Sequence, residues 1–421
     1  MEAVFMKAEI LCVGTELLLG DIVNTNAQFI SKELANLGIN VYHQSVVGDN
    51  PERLLEELHN SFKRVDLVVT SGGLGPTPDD LTKEIGAKYF NKKMILDDYT
   101  VDKLKNYFEA MGRSYLKGNN LKQAYFPEDC IILKNDHGTA PGCIINEKGK
   151  ILIVLPGPPR EIHPMFLNYV LPFLKNYQDG IIKSEVLRIY GIGEGEMAER
   201  IRNLIDNSKN PTIAPYAKDN DVTLRITARA DTETDALNLI KPLREKVERA
   251  FGENIYGYGE TSMEEVVSHL LIENNLTIST AESCTGGLVA AKLINCTGIS
   301  SVFLDGAITY SNRAKMYRLH VKKETLDNFG AVSEQTAKQM AEGIARTSNT
   351  DIGLSTTGIA GPDGGTSEKP VGLVYVGLYI KGKLFVKELH ISGERNRVRN
   401  RAAVSALDFL RRTLAGKRDK D

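Results

Sequence analysis

Along the first 170 residues the apolar positions switch repeatedly between two periods. Residues 8–13 form a short apolar run ending at Gly14, the pattern of a strand covered on both faces. Asn24 stands where a helix N-cap is wanted; the helix runs through Gln28, Ile30, Leu34 and Leu37, and Gly38 stops it. Residues 39–47 read as a strand, 51–63 as a helix opening on proline, and 66–70 as a buried strand. A last buried strand, 151–155, runs into Pro156-Gly157-Pro158-Pro159. This βαβα rhythm predicts a parallel sheet with helices on both faces.

The pattern then changes twice. A strand at 186–190, a helix at 196–205, a strongly alternating strand at 221–230 and a helix at 235–251 make a small α+β unit. Residues 252–260 are a glycine-rich joint, and a third, α/β part comes after it, with a short β-branched strand at 276–280 and a helix at 288–294. The expected division is 1–174, 175–260 and 261–421, with no internal repeat and no low-complexity tract.

Composition adds exclusions. With 42% hydrophobic and 25% charged residues, the chain is an ordinary globular protein rather than a disordered one. A net charge of −2 gives no basic character of the kind nucleic-acid binders show. Cys12, Cys130, Cys143, Cys284 and Cys296 are odd in number and form no C-x-x-C, which argues for reduced thiols in a cytoplasmic protein. No apolar run approaches the roughly 20 residues of a membrane helix. The N-terminal run 10–13, bracketed by Glu9 and Glu16, is too short for a signal peptide.

In the first part, Ser71-Gly72-Gly73-Leu74-Gly75-Pro76-Thr77-Pro78-Asp79-Asp80 comes after a strand and precedes a helix. Its glycines let backbone approach a phosphate, and the helix start offers free N–H groups. Asp79 and Asp80 would repel a bare phosphate, so a divalent cation between them and the substrate reconciles the pattern; the bland reading is that both cap the next helix. Glu16, Asn24 and Asn26 fall on the same carboxyl edge of the sheet, where open α/β sheets bind ligands, although each also suits turn chemistry. Gly138 in GTAPG, and Pro156 and Gly157 in PGPPRE, mark two further tight turns.

In the middle part, Gly191, Gly193 and Gly195 lead from strand to helix in an acidic stretch, and no two stand at G-x-x-G spacing. A spacer or dimer element is expected there, not an RNA binder.

In the third part, Ala281-Glu282-Ser283-Cys284-Thr285-Gly286-Gly287 lies at a strand-to-helix turn, an arrangement for a nucleophile beside an oxyanion site. Ser283 could equally cap the helix, and adjacent Cys284 is a rival nucleophile. None of the seven histidines sits in a companion motif, so lysine is the other candidate base. Lys315, after Tyr310, could take the serine proton if desolvated; on a solvated helix face it would do nothing of the kind. Ser355 to Gly365 form a second glycine-rich loop, including Thr357 and Gly358, suited to a phosphate or ribose. Arg395 and Arg399, four apart at the start of a late helix, share one face and could clamp an anion.

The segments GTELLLGDIVNTN, TSGGLGPTPDD, GTAPG and LPGPPRE resemble the molybdopterin-binding-like domain of the competence/damage-inducible CinA family. AESCTGG, AITYSNRAK, STTGIAGPDGG and GERNRVR resemble its C-terminal domain, the nicotinamide mononucleotide (NMN) amidohydrolases; the middle part is similar to the family's small KH-like module. The resemblance implies two activities. The first domain would split ADP-ribose to AMP and ribose 5-phosphate with a divalent metal at Asp79 and Asp80. Glu16, Asn24, Asn26, Ser71, Gly72, Gly73, Gly75, Thr77, Gly138, Pro156 and Gly157 would surround that substrate. The C-terminal domain, needing no cofactor, would convert NMN to nicotinate mononucleotide and ammonia. There Ser283 is implied as nucleophile, Lys315 as general base and Tyr310 as orienting residue. Thr285, Gly286 and Gly287 would serve the oxyanion, and Thr357, Gly358, Arg395 and Arg399 the nucleotide. A homodimer is implied as well. The contrasting readings are a binding protein of competence or DNA damage, which would want a basic or aromatic face, and a pterin-binding enzyme.

Divided at the expected boundaries, the net charge is −4, −2 and +4. An acidic first part suits a site that recruits a cation before a diphosphate, and a basic third part suits direct binding of a nucleotide monophosphate.

Overall fold

The apolar runs of the first part become the spine of one sheet in the computed structural model, which describes residues 7–110, 112, 118–177, 180–217 and 221–416. The strands are β1 (Lys7–Val13), β2 (Asn40–Val47), β3 (Leu67–Ser71), β4 (Met94–Leu96), β5 (Tyr125–Pro127), β6 (Ile131–Leu133), β7 (Gly142–Glu147) and β8 (Lys150–Leu155). Six of them form a sheet in the order β2-β1-β3-β8-β7-β6, and β4 pairs with β5 in a small ribbon.

Alternate residues of the central strands feed two cores, which is why these strands read as continuous apolar runs. Ile10, Leu67, Val69, Ile153 and Leu155 pack with Ala27, Ile30 and Leu34 of the helix Thr25–Asn36. Leu11, Val68, Leu152 and Val154 pack with Leu54, Leu58 and Phe62 of the helix Pro51–Arg64. Asn24 does cap the first of these helices, accepting from the Ala27 amide at 3.1 Å. Glu9 is fully buried within β1; burial alone would raise its pKa, but hydrogen bonds from Arg64, Ser61 and Ser45 hold the carboxyl below its usual value.

β1, β2, β3 and β8 are parallel, so the loops after β1, β3 and β8 gather at one edge. The expected parallel sheet is mixed at its other side, where β7 and β6 run antiparallel. The cause is local: Lys148 (φ 49°) and Gly149 (φ 77°) close a two-residue hairpin, so β7 must return beside β8.

The chain divides into two compact units, 1–183 with 229–236, and 184–228 with 237–421. The second unit therefore holds most of the middle segment together with the third. The middle segment contributes β9 (Ile181–Ile189), β10 (Thr212–Ala217), β11 (Val222–Ala230) and β12 (Ile255–Tyr258), a sheet in the order β10-β11-β9-β12. β10 contains Pro215 and escaped the alternation pattern. Gly191 and Gly193 fall in the turn between β9 and the helix Glu194–Asn207, as expected.

The remainder adds β13 (Ile278–Glu282), β14 (Phe303–Ile308), β15 (Ile352–Gly358), β16 (Leu373–Ile380) and β17 (Lys383–His390), in the order β14-β13-β15-β16-β17. β14, β13 and β15 are parallel and end on the same edge. Within this unit the helix Arg395–Leu414 is tied to the middle segment. The Tyr190 hydroxyl lies 2.6 Å from that of Ser405, and Arg411 donates to the Glu253 carbonyl at 2.9 Å. Among the described residues no helix is long and apolar enough to cross a membrane.

Candidate active site

β13 is an unusual buried strand, because Ser279, Thr280 and Glu282 are polar yet enclosed. Its last residue organises the adjoining turn. Glu282 Oε2 accepts from the Thr285 hydroxyl at 2.6 Å and from the amides of Gly287 and Val289 at 2.9 and 3.1 Å, while Oε1 accepts from the Ala290 amide at 2.8 Å. These bonds fold residues 283–287 onto the start of the helix Leu288–Ile294, with Gly286 and Gly287 at φ 64° and 96°. The Ser283 amide donates to the Thr356 carbonyl of β15 at 2.9 Å. A carboxylate only accepts, so Thr285 gives its proton to Glu282, and the Thr356 hydroxyl, 2.6 Å away, must donate to Thr285.

Lys315 reaches this turn from the helix Asn312–Leu319, which Ser311 caps. Only 1% of Lys315 is exposed, which removes the solvated-face alternative. Its Nζ lies 3.0 Å from Ser283 Oγ, 2.9 Å from the Thr309 carbonyl and 3.2 Å from the Tyr310 carbonyl. Burial pulls its pKa down to about 8. A neutral amine has two hydrogens and one lone pair; with both hydrogens held by the two carbonyls, the lone pair faces the serine. The geometry is that of a base beside its nucleophile.

Cys284 fares differently. It is 6% exposed in an apolar cluster with Val374, Val398 and Ala402, and burial pushes its thiol up to about 12. Such a thiol supplies little thiolate at neutral pH.

Several expected roles are revised by the geometry. The Gly286 amide is bonded to the Ser283 carbonyl at 3.2 Å and that of Gly287 to Glu282, so neither points freely at an oxyanion. Thr285 is fully buried and its hydroxyl is committed. Tyr310 holds Lys315 through its backbone carbonyl, not its phenol, which instead lies 3.3 Å from Arg395 Nη2. Thr357 turns away and donates to the Ala331 carbonyl at 2.7 Å, while Gly358 packs tightly on Leu373 and Val374. Arg395 and Arg399 do converge here. Arg395 donates to the Gly361 carbonyl at 2.7 Å, and Arg399 to the Thr285 carbonyl at 3.0 Å. Glu282, Thr309 and Thr356 were missed in the sequence; an acid directly before the serine was the available signal.

In the first unit, Glu16, Asn24, Asn26, Ser71 and Gly157 line one cavity of about 310 Å³ with Val13, Leu17, Ile22 and Val23. Asn26 Nδ2 bridges Ser71 Oγ at 2.9 Å and the Gly157 carbonyl at 2.6 Å, and Ser71 Oγ donates to the Pro156 carbonyl at 3.3 Å. Gly72 is required here: at φ 107°, a Cβ would sit 2.0 Å from the Val13 carbonyl oxygen. Gly73 likewise faces Thr82 Oγ1 at 2.2 Å.

Gly75, Thr77, Asp79, Asp80 and Gly138 do not line that cavity. Asp80 Oδ2 accepts from the Thr77 amide at 3.0 Å and its hydroxyl at 2.5 Å, which is turn chemistry. Lys122, which the sequence did not single out, donates to the carbonyls of Asp80 and Thr77. Gly138 makes room for the buried Glu161, which accepts from Asn135 Nδ2 at 2.6 Å. Among the described residues no group of three or more His, Cys, Asp or Glu is placed to hold a metal.

Three family models match the chain. A probable molybdopterin binding domain covers 9–176, a damage-inducible protein CinA KH domain 184–257, and a CinA C-terminal domain 260–414. A putative competence-damage inducible protein of Clostridium kluyveri is 63% identical over 409 residues, covering 97% of this chain and 100% of its own length. A CinA-like protein of Kosmotoga olearia is 59% identical over 97% of this chain and 99% of its own. The crystal structure of a competence/damage inducible protein from Agrobacterium tumefaciens is 40% identical over 37% of this chain and 97% of its own, with a TM-score of 0.35. With that identity sustained over nearly its whole length and all three domains in order, this chain belongs to the CinA family.

Proposed function

We propose that the C-terminal site is a serine–lysine amidase that hydrolyses the carboxamide of NMN, giving nicotinate mononucleotide and ammonia. The observation that carries this reading is the enclosed Lys315 Nζ, 3.0 Å from Ser283 Oγ and held by two carbonyls. Ser283 Oγ attacks the carboxamide carbon and its proton passes to Lys315. The tetrahedral intermediate collapses, the C–N bond breaks, and Lys315 returns the proton to the leaving amine as ammonia. Water then attacks the acyl ester, again losing a proton to Lys315, and the acid departs as Ser283 recovers its hydrogen. Arg395, beside the Tyr310 hydroxyl, and Arg399, on the Thr285 carbonyl, would supply positive charge for the phosphate. Ser283→Ala is expected to abolish ammonia release from NMN while Cys284→Ala keeps most of it. Full release by the serine variant would end the proposal.

For the first unit we propose hydrolysis of ADP-ribose at the diphosphate. Its support is the cavity in which Asn26 ties the end of β3 to the loop after β8, with Val13, Leu17, Ile22 and Val23 adding apolar lining. Asp79 and Asp80 would hold a divalent cation, which neutralises phosphate charge when bound; Lys122 already fixes their loop. AMP release from ADP-ribose that survives EDTA would remove the metal from this reading. Two such activities place the protein in pyridine-nucleotide salvage, and its five free cysteines suit the cytoplasm.

A further inference from the structure

One carboxylate beside the proposed nucleophile is left unused by that mechanism. Glu282 is 1% exposed, precedes Ser283 directly, and accepts from four protein donors that occupy both of its oxygens. A carboxylate next to a serine invites comparison with the acid of a catalytic triad, which orients a base and shares its charge. The geometry differs. Lys315 Nζ is bonded to Ser283 and to the carbonyls of Thr309 and Tyr310, and none of the four donors to Glu282 is Lys315. Three of those four donors are backbone amides at the start of a helix, which neutralise the charge where it sits.

Glu282 nevertheless touches both halves of the pair through the chain. Its side chain folds the turn that carries Ser283, and its carbonyl accepts from the Thr309 amide at 2.8 Å. Thr309 in turn offers the carbonyl that holds Lys315. The hydroxyl chain from Thr356 through Thr285 ends on the same carboxylate.

We infer that Glu282 is a positioning residue: its carboxylate staples the nucleophile turn so that Ser283 Oγ meets the lone pair of Lys315, and it takes no proton during the reaction. This rests on the serine–lysine reading above. The test is Glu282→Gln, which keeps the shape but turns an N–H₂ toward donors. It is read by NMN turnover across pH, by the rate of inactivation with phenylmethanesulfonyl fluoride, and by thermal midpoint. Misplacement of a reacting group by about 1 Å costs roughly 100-fold, so kcat and the inactivation rate are expected to fall together by about that factor. The KM for NMN should barely change, and the ascending limb of the pH profile should stay near 8, where Lys315 sets it.

Unchanged inactivation and kcat would overturn the proposal, and so would a displaced ascending limb, which would make the carboxylate a partner in proton transfer. If the glutamine variant does not fold, Thr285→Val carries the test. It removes one donor and leaves the carboxylate, and it should slow inactivation about tenfold, as loss of one charge-assisted hydrogen bond does; no slowing would overturn the inference. Inactivation by the sulfonyl fluoride requires no NMN. A parent that is inactivated at Ser283 but leaves NMN intact therefore refutes the reaction and not the positioning, whereas a parent inert both to the reagent and to NMN refutes both.

Discussion

Lys315 draws its chemistry from its surroundings. On a solvated helix it would hold its proton to near 10.5; enclosed beside Ser283 it gives it up near 8, the range the proposed general base requires. The activity of the C-terminal site is therefore expected to rise with pH through about 8 and then level. The same enclosure has a stability cost with a definite sign. The folded pKa lies below the ordinary 10.5, so between about 8 and 10.5 the unfolded chain binds more protons and stability rises with pH. Lys315→Met should lose about 100- to 10,000-fold in turnover, the usual worth of a general base. It should also melt above the parent at pH 7, with an advantage that shrinks toward pH 10.5; a thermal midpoint measured across pH checks this. Ser283 and Lys315 were legible as candidates, because a serine at a strand-to-helix turn and a lysine after a strand can be found by eye. Their contact was not, since 31 residues separate them in sequence and only β13 and β14 lying side by side bring them together.

The elements show why some motifs leave a clear mark in the sequence and others do not. A glycine that must adopt positive φ leaves a clear mark, as in Ser71-Gly72-Gly73. There the backbone of one loop crosses the end of β1 so closely that Gly72→Ala has no room. That variant is expected to destabilise the first unit by more than about 1 kcal/mol. ADP-ribose hydrolysis should be lost while ammonia release from NMN is kept, which assays of both products on one preparation would show. β13 was harder to read. Its observed span runs to Glu282, two residues past the expected end, because buried polar residues break an apolar pattern unless their partners are known. Those partners, Thr350 for Ser279 and the helix amides for Glu282, come from distant or later segments. Thr357 illustrates the opposite error: a polar residue in a glycine-rich loop invites a ligand, and the fold gives it the Ala331 carbonyl instead.

At the scale of the molecule, the middle segment joins the C-terminal part through a buried ionic cluster. Asp408 is 3% exposed and accepts from Arg411 at 2.6 Å and from Arg412 at 2.8 Å, while Arg411 also bonds the Glu253 carbonyl. Removing the carboxylate from a buried pair costs about 3–5 kcal/mol because the remaining charge stays enclosed. Asp408→Ala is expected to lower the calorimetric transition of the second unit and leave that of the first in place. A single shifted transition would show that the two units unfold as one. The opposite charges of the expected parts, −4 in the first and +4 in the third, belong to this scale too. They are in keeping with the proposed cation-assisted diphosphate site in one and the proposed monophosphate site in the other.

The sequence by itself determined the alternation of strands and helices, the three domains in order, the glycine turns and the short roster of reactive residues. Each of these is written in local pattern: period, cap and conformational freedom. The tertiary structure decided which candidates work together. Burial lowered the pKa of Lys315 beside Ser283 and made Cys284 packing, and the alternation of side chains along β15 set Thr356 rather than Thr357 against the turn that carries Ser283. Hydrogen bonding gave Glu282 the turn and withdrew the amides of Gly286 and Gly287 from it. Solvation and long-range hydrogen bonds depend on what lies across the fold, and no local pattern carries that information.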